Sequence, residues 1–82
     1  MKMTLEAARI NAGYTQIEAA KLFGIHYQTL ARLEEDSSKM PYEFIRKIPQ
    51  IYGVPVDDIY FGLKNEFIRF IREEALRLNY SS

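Results

Sequence analysis

Apolar residues recur every three or four positions along most of the chain, which is the period of an amphipathic helix. The first such segment predicts a helix over residues 5–12, which Thr4 can cap and Gly13 can close. Arg9 falls on the apolar face of this helix, so its guanidinium is directed to the core and needs a carboxylate partner. Glu34, which follows a later apolar position, is the candidate, and we interpret the pair as structural.

Residues 15–34 contain the strongest local signals in the chain. Thr15 and Glu18 have the spacing of a capping box and predict the start of a helix, which Gly24 ends after about two turns. A second helix begins directly after that glycine. The residues on its outer face are Tyr27, Gln28, Ala31 and Arg32. Two short helices joined by a tight glycine-containing turn form a helix-turn-helix unit, and Gln and Arg side chains can pair bidentately with base edges of DNA.

Prolines and glycines divide the next part of the chain into further helices. A fourth helix is expected from Pro41 to about residue 52, and Pro49 should either kink or break it. A short fifth helix is expected over residues 54–61, with acidic residues in its first turn, as the helix dipole prefers.

A last amphipathic helix is expected over residues 63–80, with a length of about 25 Å. Large apolar residues are abundant on one side of this helix. The set expected to form a homodimer interface is Leu63, Phe67, Phe70, Ile71 and Leu78. The alternative is that the helix simply packs back on the domain. Binding to a membrane surface is disfavoured, because the polar face mixes Glu with Arg instead of being purely basic.

Composition narrows the classes of function. Eighty-two residues form one small domain, and the absence of cysteine together with a single histidine argues against disulfides, a zinc site or a cofactor. The sequence contains neither a nucleophile–base pair nor a Gly-rich phosphate loop, so no enzymatic activity is expected. It also lacks a signal peptide and any run of 18 apolar residues, so a soluble, cytoplasmic protein is expected.

The formal net charge is zero, which by itself is weak support for nucleic-acid binding. Residues 1–33 carry four basic and two acidic side chains. Residues 34–63 carry three basic and six acidic side chains, and residues 64–82 carry four basic and three acidic side chains. The positive excess coincides with the helix-turn-helix unit but is small. We therefore expect a modest affinity for DNA per subunit.

Taken together, these features resemble the Cro/repressor-like helix-turn-helix proteins of bacteria and their phages, the XRE family. The similarity covers about residues 3–62. The matching positions are Arg9, Gly13, Thr15, Gln16, Ala20, Gly24, Ile25, Thr29, Leu30, Leu33, Glu34, Pro41, residues 44–48 and residues 53–59. The resemblance implies an all-α fold, with a five-helix lambda-repressor-like DNA-binding domain over residues 1–62. The C-terminal extension helix, assigned to residues 63–82, lies beyond the part of the chain that the family covers.

The resemblance also implies roles for individual residues. A recognition helix over about residues 26–33 should lie in the major groove of DNA. The residues implied to contact bases are Tyr27, Gln28 and Arg32, and the residue implied to anchor a phosphate is Gln16. His26 is expected either to cap this helix or to contact a phosphate. Family members often pair the positions of Arg9 and Glu34, and a phosphate contact for Arg9 is the alternative.

The loop over residues 35–40 departs from the family pattern, which usually has Asn-Gly-Lys or a similar sequence there. This chain has Glu35 and Asp36, whose carboxylates repel phosphates. Side chains that can still hold the DNA backbone are Ser37, Ser38 and Lys39.

The function expected from these residues is that of a Cro-like or prophage-type transcriptional repressor, which binds operator DNA as a homodimer with half-sites about 34–36 Å apart. No small-molecule ligand is expected. The alternative is a protein-interaction or antitoxin-type module that keeps this fold with weak or lost DNA binding, which the zero net charge and the acidic loop favour.

Overall fold

The computed structural model describes residues 2–81, and within them the chain forms six α-helices and one 3-10 turn. The helices are α1 (Leu5–Asn11), α2 (Gln16–Phe23), α3 (Tyr27–Glu35), α4 (Tyr42–Ile45), α5 (Ile48–Tyr52) and α6 (Lys64–Ser81), with the 3-10 turn at Val56–Asp58. In this part of the chain, extended pairing is limited to isolated bridges. The predicted all-α class is confirmed.

The starts of α1 and α2 follow the predicted capping residues. The Thr4 hydroxyl accepts a hydrogen bond from the Ala7 amide at 3.1 Å. At α2 the Glu18 amide donates to the Thr15 hydroxyl at 3.1 Å, and the Thr15 amide donates to the Glu18 carboxylate at 2.9 Å. The second of these bonds lowers the pKa of Glu18. The two reciprocal bonds satisfy backbone donors that a helix start otherwise leaves free.

The predicted fourth helix is divided into α4 and α5. Arg46 and Lys47 form a turn between them, and Pro49 lies in the first turn of α5. In that first turn an N–H has no partner within the helix, so a proline costs no hydrogen bond. Pro49 therefore belongs to the start of a new helix and does not kink a continuous one.

The predicted fifth helix is reduced to the 3-10 turn. After it, the Tyr60 amide donates to the Met3 carbonyl at 2.8 Å, and the Met3 amide donates to the Asp58 carbonyl at 2.7 Å. These contacts form a short parallel bridge between Met3 and Ile59. The backbone groups that would have continued the helix are thus used to hold the N-terminal segment.

One apolar core lies between the helices. Its buried members are Leu5, Ala8, Ala19, Ala20, Phe23, Leu30, Met40, Ile48, Tyr52 and Ile59. The rings of Phe23 and Tyr52 meet edge to face, with centroids 5.4 Å apart. Helix α2 contributes three of these residues and α3 contributes Leu30, so the first three helices are held by the same core that α5 closes.

Helix α6 lies partly outside this core and gives the molecule an elongated outline of 46 × 22 × 21 Å. Its first turns pack on the domain, and the Phe67 ring lies 4.8 Å from the Tyr60 ring. Farther along, Phe70 is 55% exposed. One end of α6 therefore packs back on the domain, whereas the other end presents apolar side chains to the solvent, and the homodimer interface stays a prediction.

Tyr52 provides a test of the core. Within the described residues its hydroxyl has no hydrogen-bond partner, and burial raises its pKa. Because a buried hydroxyl without a partner is destabilising, we expect Tyr52→Phe to leave the free energy of unfolding unchanged or to raise it by up to about 1 kcal/mol. Urea unfolding measures this, with Tyr42→Phe, at a 76% exposed position, as the control. A loss of more than about 1 kcal/mol would show that the hydroxyl is bonded in the native protein.

Candidate nucleic-acid interface

The interface is built on α2, the turn after it, and α3. Gly24 adopts the left-handed conformation, with φ of 77°, which favours glycine, and ends α2. The Ile25 amide then donates to the Ala20 carbonyl at 3.0 Å, which closes the turn. His26 caps α3, because its Nδ1 accepts a hydrogen bond from the Gln28 amide at 3.2 Å. This bond shows the capping role of His26; the cap does not use Nε2 of the exposed ring, so the phosphate contact stays a prediction.

Helix α3 has one buried and one exposed face. Leu30 and Glu34 are buried, whereas the proposed base-contacting residues are exposed. Those exposed residues are Tyr27, Gln28 and Arg32. Within residues 2–81, the Gln28 and Arg32 side chains form no hydrogen bond or ion pair, and their spacing of four residues places them on one stripe of the helix. Thr29, which the sequence reasoning did not select as a contact residue, is also exposed beside them.

The buried carboxylate of Glu34 joins three helices. Arg9 Nε lies 2.6 Å from Glu34 Oε2, and Arg9 Nη2 lies 3.3 Å from Glu34 Oε1. The hydrogen bond with Glu34 raises the pKa of Arg9. Gln16 Nε2 donates to Glu34 Oε1 at 2.8 Å. Arg9 is therefore engaged inside the molecule, and this placement leaves no support for the alternative in which it contacts DNA.

The side-chain amide of Gln16 can donate two hydrogen bonds from this position. Its side-chain amide nitrogen carries two hydrogens, and one of them is used by Glu34. The residue is half-buried at the first position of α2, where the helix dipole favours an anion. The second hydrogen is thus available to a phosphate without loss of the internal bond.

The loop after α3 does not present its polar residues as predicted. Ser37 is 3% exposed; its hydroxyl accepts a hydrogen bond from the Gly62 amide at 3.1 Å, and its amide donates to the Gly62 carbonyl at 3.0 Å. A phosphate cannot reach this hydroxyl, so the prediction for Ser37 is corrected: it is a structural residue. Ser38 and Lys39 remain exposed, and the Ser38 amide donates to Asp36 Oδ1 at 3.0 Å. Hydrogen bonding from the Ser38 side chain, and next from its amide, lowers the pKa of Asp36.

The acidic side chain of Glu35 has a partner that the sequence did not reveal. Lys64 Nζ, at the start of α6, lies 2.9 Å from Glu35 Oε1 and 3.7 Å from Glu6 Oε1. Lys64 and Glu35 are 29 positions apart in the chain, so no local spacing rule predicts their contact. The ion pair offsets one of the two carboxylates that the loop sequence places near DNA.

A second surface lies along α6. An open apolar groove of about 670 Å³ runs between this helix and the body of the domain, beside Lys2 and Tyr60. The predicted interface residues that line it are Phe67, Phe70, Ile71 and Leu78. Leu63 is 46% exposed but does not line this groove.

Other kinds of site find little support in the described residues. They contain no cluster of three or more His, Cys, Asp or Glu side chains arranged to hold a metal ion. None of the described helices combines the length and apolar character needed to cross a bilayer.

Comparison with known proteins points to the same elements. A family model described as helix-turn-helix matches residues 5–59, which extend from the start of α1 to the residue after the 3-10 turn. Comparison with curated proteins gives no match.

The buried pair of Arg9 and Glu34 leads to a testable prediction about the free energy of unfolding. Replacing Arg9 with Met leaves the Glu34 carboxylate buried with only the Gln16 amide as a partner, so the free energy of unfolding should fall by about 3–5 kcal/mol. Replacing both residues with Met should restore most of this loss, because no uncompensated charge remains. Urea unfolding of the two variants measures the effect.

Arg77→Met, which breaks the exposed pair with Glu74, is the control and should not measurably change the free energy of unfolding. If Arg9→Met were as stable as the parent protein, the pair would not hold the three helices together.

Proposed function

The chain belongs to the Cro/repressor-like XRE family of helix-turn-helix DNA-binding proteins, and we propose that it is a sequence-specific transcriptional regulator that binds operator DNA as a homodimer and represses by occupying a promoter. The observation that carries the proposal is the outer face of α3. Gln28 and Arg32 are exposed, lie one turn apart, and have side chains without partners in residues 2–81.

The proposed docking places the first turns of α3 in the major groove. Gln28 then pairs with adenine N6 and N7, and Arg32 pairs with guanine O6 and N7. Tyr27 lies at the start of the same helix, and its ring is 4.7 Å from the His26 ring. The two rings are tilted by 32° to each other and form a surface suited to contact with a thymine methyl group or the sugar-phosphate backbone.

The proposed phosphate contacts flank this helix. Gln16 donates its second amide hydrogen at the start of α2, while Ser38 and Lys39 hold the opposite end from the loop after α3. Few cations take part, since Arg9 and Lys64 are engaged in internal ion pairs. The affinity of one subunit should accordingly be modest, and two subunits are needed for tight binding.

Helix α6 is the proposed homodimer surface, and a second copy of the same helix is its proposed occupant. The groove is lined mainly by apolar side chains, with Glu66 and Glu74 among its few charged members, and Glu74 is already paired with Arg77 at 2.7 Å. The ring of Phe70 is 55% exposed and lines the groove, so in the proposed dimer it packs into the groove of the second copy.

The alternative function is that of a protein-interaction or antitoxin-type module. The apolar groove of about 670 Å³ and the zero net charge favour this alternative. It differs from the proposal in one measurable respect, because it does not require sequence preference in DNA.

Selection of bound sequences from a random duplex library tests the main proposal. The purified protein is incubated with the library at near-physiological salt, and the bound fraction is sequenced. We expect an inverted repeat with half-site centres about 34–36 Å apart. If no sequence is enriched, the proposed regulator function fails and the partner-binding alternative takes its place.

Two substitutions test the assignment of base and phosphate contacts on the selected site. Arg32→Ala should cost about 1–3 kcal/mol and relax the preference at one base pair. Lys39→Ala should weaken all sequences alike and reduce the salt dependence by about one unit of slope. Affinities at several salt concentrations separate the two effects. If Arg32→Ala changed neither affinity nor preference, the proposed docking of α3 would be wrong.

The dimer surface is tested independently of DNA by sedimentation over a range of protein concentrations. The parent protein should approach twice the 9.6 kDa mass of the chain, and Phe70→Glu should sediment as a monomer because it buries a charge in the apolar contact. Ile10→Glu is a matched control, since Ile10 on α1 is 59% exposed and Phe70 is 55% exposed. A dimer that survives Phe70→Glu, or that dissociates equally with Ile10→Glu, would rule out α6 as the interface.

A further inference from the structure

Glu35 lies on the same stripe of α3 as the side chains proposed to contact bases. Gln28, Arg32 and Glu35 are separated by four and three residues, so they project from successive turns on one side of the helix, and all three are exposed. An arginine and a glutamate three positions apart can pair with each other. Local spacing alone would therefore make Glu35 the partner of Arg32.

Such a local pair would interfere with recognition. A carboxylate bound to the guanidinium uses two of its five N–H donors and holds the group in one orientation, whereas pairing with guanine requires two donors directed at the base. The carboxylate would also oppose the approach of DNA phosphates. Any contact that removes Glu35 from Arg32 thus makes the arginine available.

The structure contains such a contact. Lys64 Nζ lies 2.9 Å from Glu35 Oε1, and within the described residues Arg32 forms no ion pair. The Lys64 side chain is 19% exposed and the Glu35 side chain is 64% exposed, so the cation is the enclosed partner and the carboxylate is drawn back to it. The hydrogen bond with Glu35 raises the pKa of Lys64.

The position of Lys64 is fixed by backbone contacts. It is the first residue of α6, and the two preceding residues are tied to the loop after α3. The Ser37 amide donates to the Gly62 carbonyl at 3.0 Å, and Asp36 and Leu63 form an antiparallel bridge. These backbone contacts place Lys64, at the start of α6, beside the end of the recognition helix.

We propose that Lys64 is a positioning residue for base recognition, which holds the Glu35 carboxylate away from Arg32 and so keeps the guanidinium free to pair with a guanine. This inference rests on the proposed DNA binding by α3. It assigns a determinant of sequence preference to the C-terminal helix, outside the helix-turn-helix unit and outside the matched residues 5–59.

The first test uses DNA selected by the parent protein. Lys64→Met keeps most of the side-chain stem and removes the charge, so affinity should fall about two- to fivefold and the preference at the base pair of Arg32 should relax. Adding Glu35→Gln to this variant should restore both, because a neutral amide competes weakly for the guanidinium. Lys64→Arg keeps a cation and should behave as the parent protein does.

A matched control separates positioning from overall charge. Arg46→Met removes one positive charge from the exposed turn between α4 and α5, outside both proposed surfaces, and should change affinity less than twofold. If Arg46→Met weakened binding as much as Lys64→Met, or if Glu35→Gln raised affinity equally with and without Lys64, the effect would be long-range charge and the proposal would be overturned.

The second test needs no DNA. The Arg32 Nε–Hε signal is recorded by NMR in the parent protein, in Lys64→Met and in Lys64→Met/Glu35→Gln. We expect the signal to move in the single variant, as Glu35 turns to Arg32, and to return in the double variant. An Arg32 signal that is the same in all three proteins would overturn the proposal, whatever the DNA results. If the parent protein selects no sequence but the signal moves as expected, the DNA-binding function fails while the control of Arg32 by Lys64 is supported.

Discussion

The Arg9–Glu34 pair is the contact on which the DNA-facing surface depends. Glu34 lies near the end of α3, and its carboxylate bonds to Arg9 on α1 and to Gln16 on α2. With Glu34 and Leu30 turned inward, the helical period leaves Gln28 and Arg32 no orientation except outward. A buried ion pair contributes little net stability, but it is costly to break, and that cost fixes the rotation of α3 about its own axis.

Some basic side chains of this small domain form ion pairs inside the molecule, and others are exposed to the solvent. Arg9 and Lys64 face carboxylates on neighbouring helices, while Arg32 and Lys39 face solvent. The zero net charge is thus compatible with a basic contact surface, because acidic groups are drawn to the internal cations. Net charge summed over a chain says little about a surface when the pairs are this specific.

The C-terminal helix joins the two proposed surfaces. Its start is held against the end of the recognition helix through Ser37, Gly62 and Lys64. Its farther turns carry exposed apolar residues along an open groove. A second copy seated on those turns would act on a helix whose first residue is bonded to the end of α3. The proposed dimer surface and the proposed DNA-contacting loop are therefore adjacent in the structure, although they are far apart in the sequence.

The sequence by itself determined the helices whose signals are local. The capping pairs at Thr4 and Thr15, the stop at Gly24 and the apolar period of α3 all act within a few residues, so they predict α1 to α3 and the exposed face of the recognition helix. Arg9 was assigned to Glu34 because a charged residue on an apolar face needs a partner. Tertiary structure alone decided the break before α5, the reduction of the fifth helix to one turn, the burial of Ser37 and the pairing of Glu35 with Lys64. At the break before α5, Pro49 allows either a kink or a break, and only the folded backbone selects between them. The other three features depend on contacts with distant segments, such as the bridge of Met3 with Ile59, and no periodicity within a single segment records such contacts.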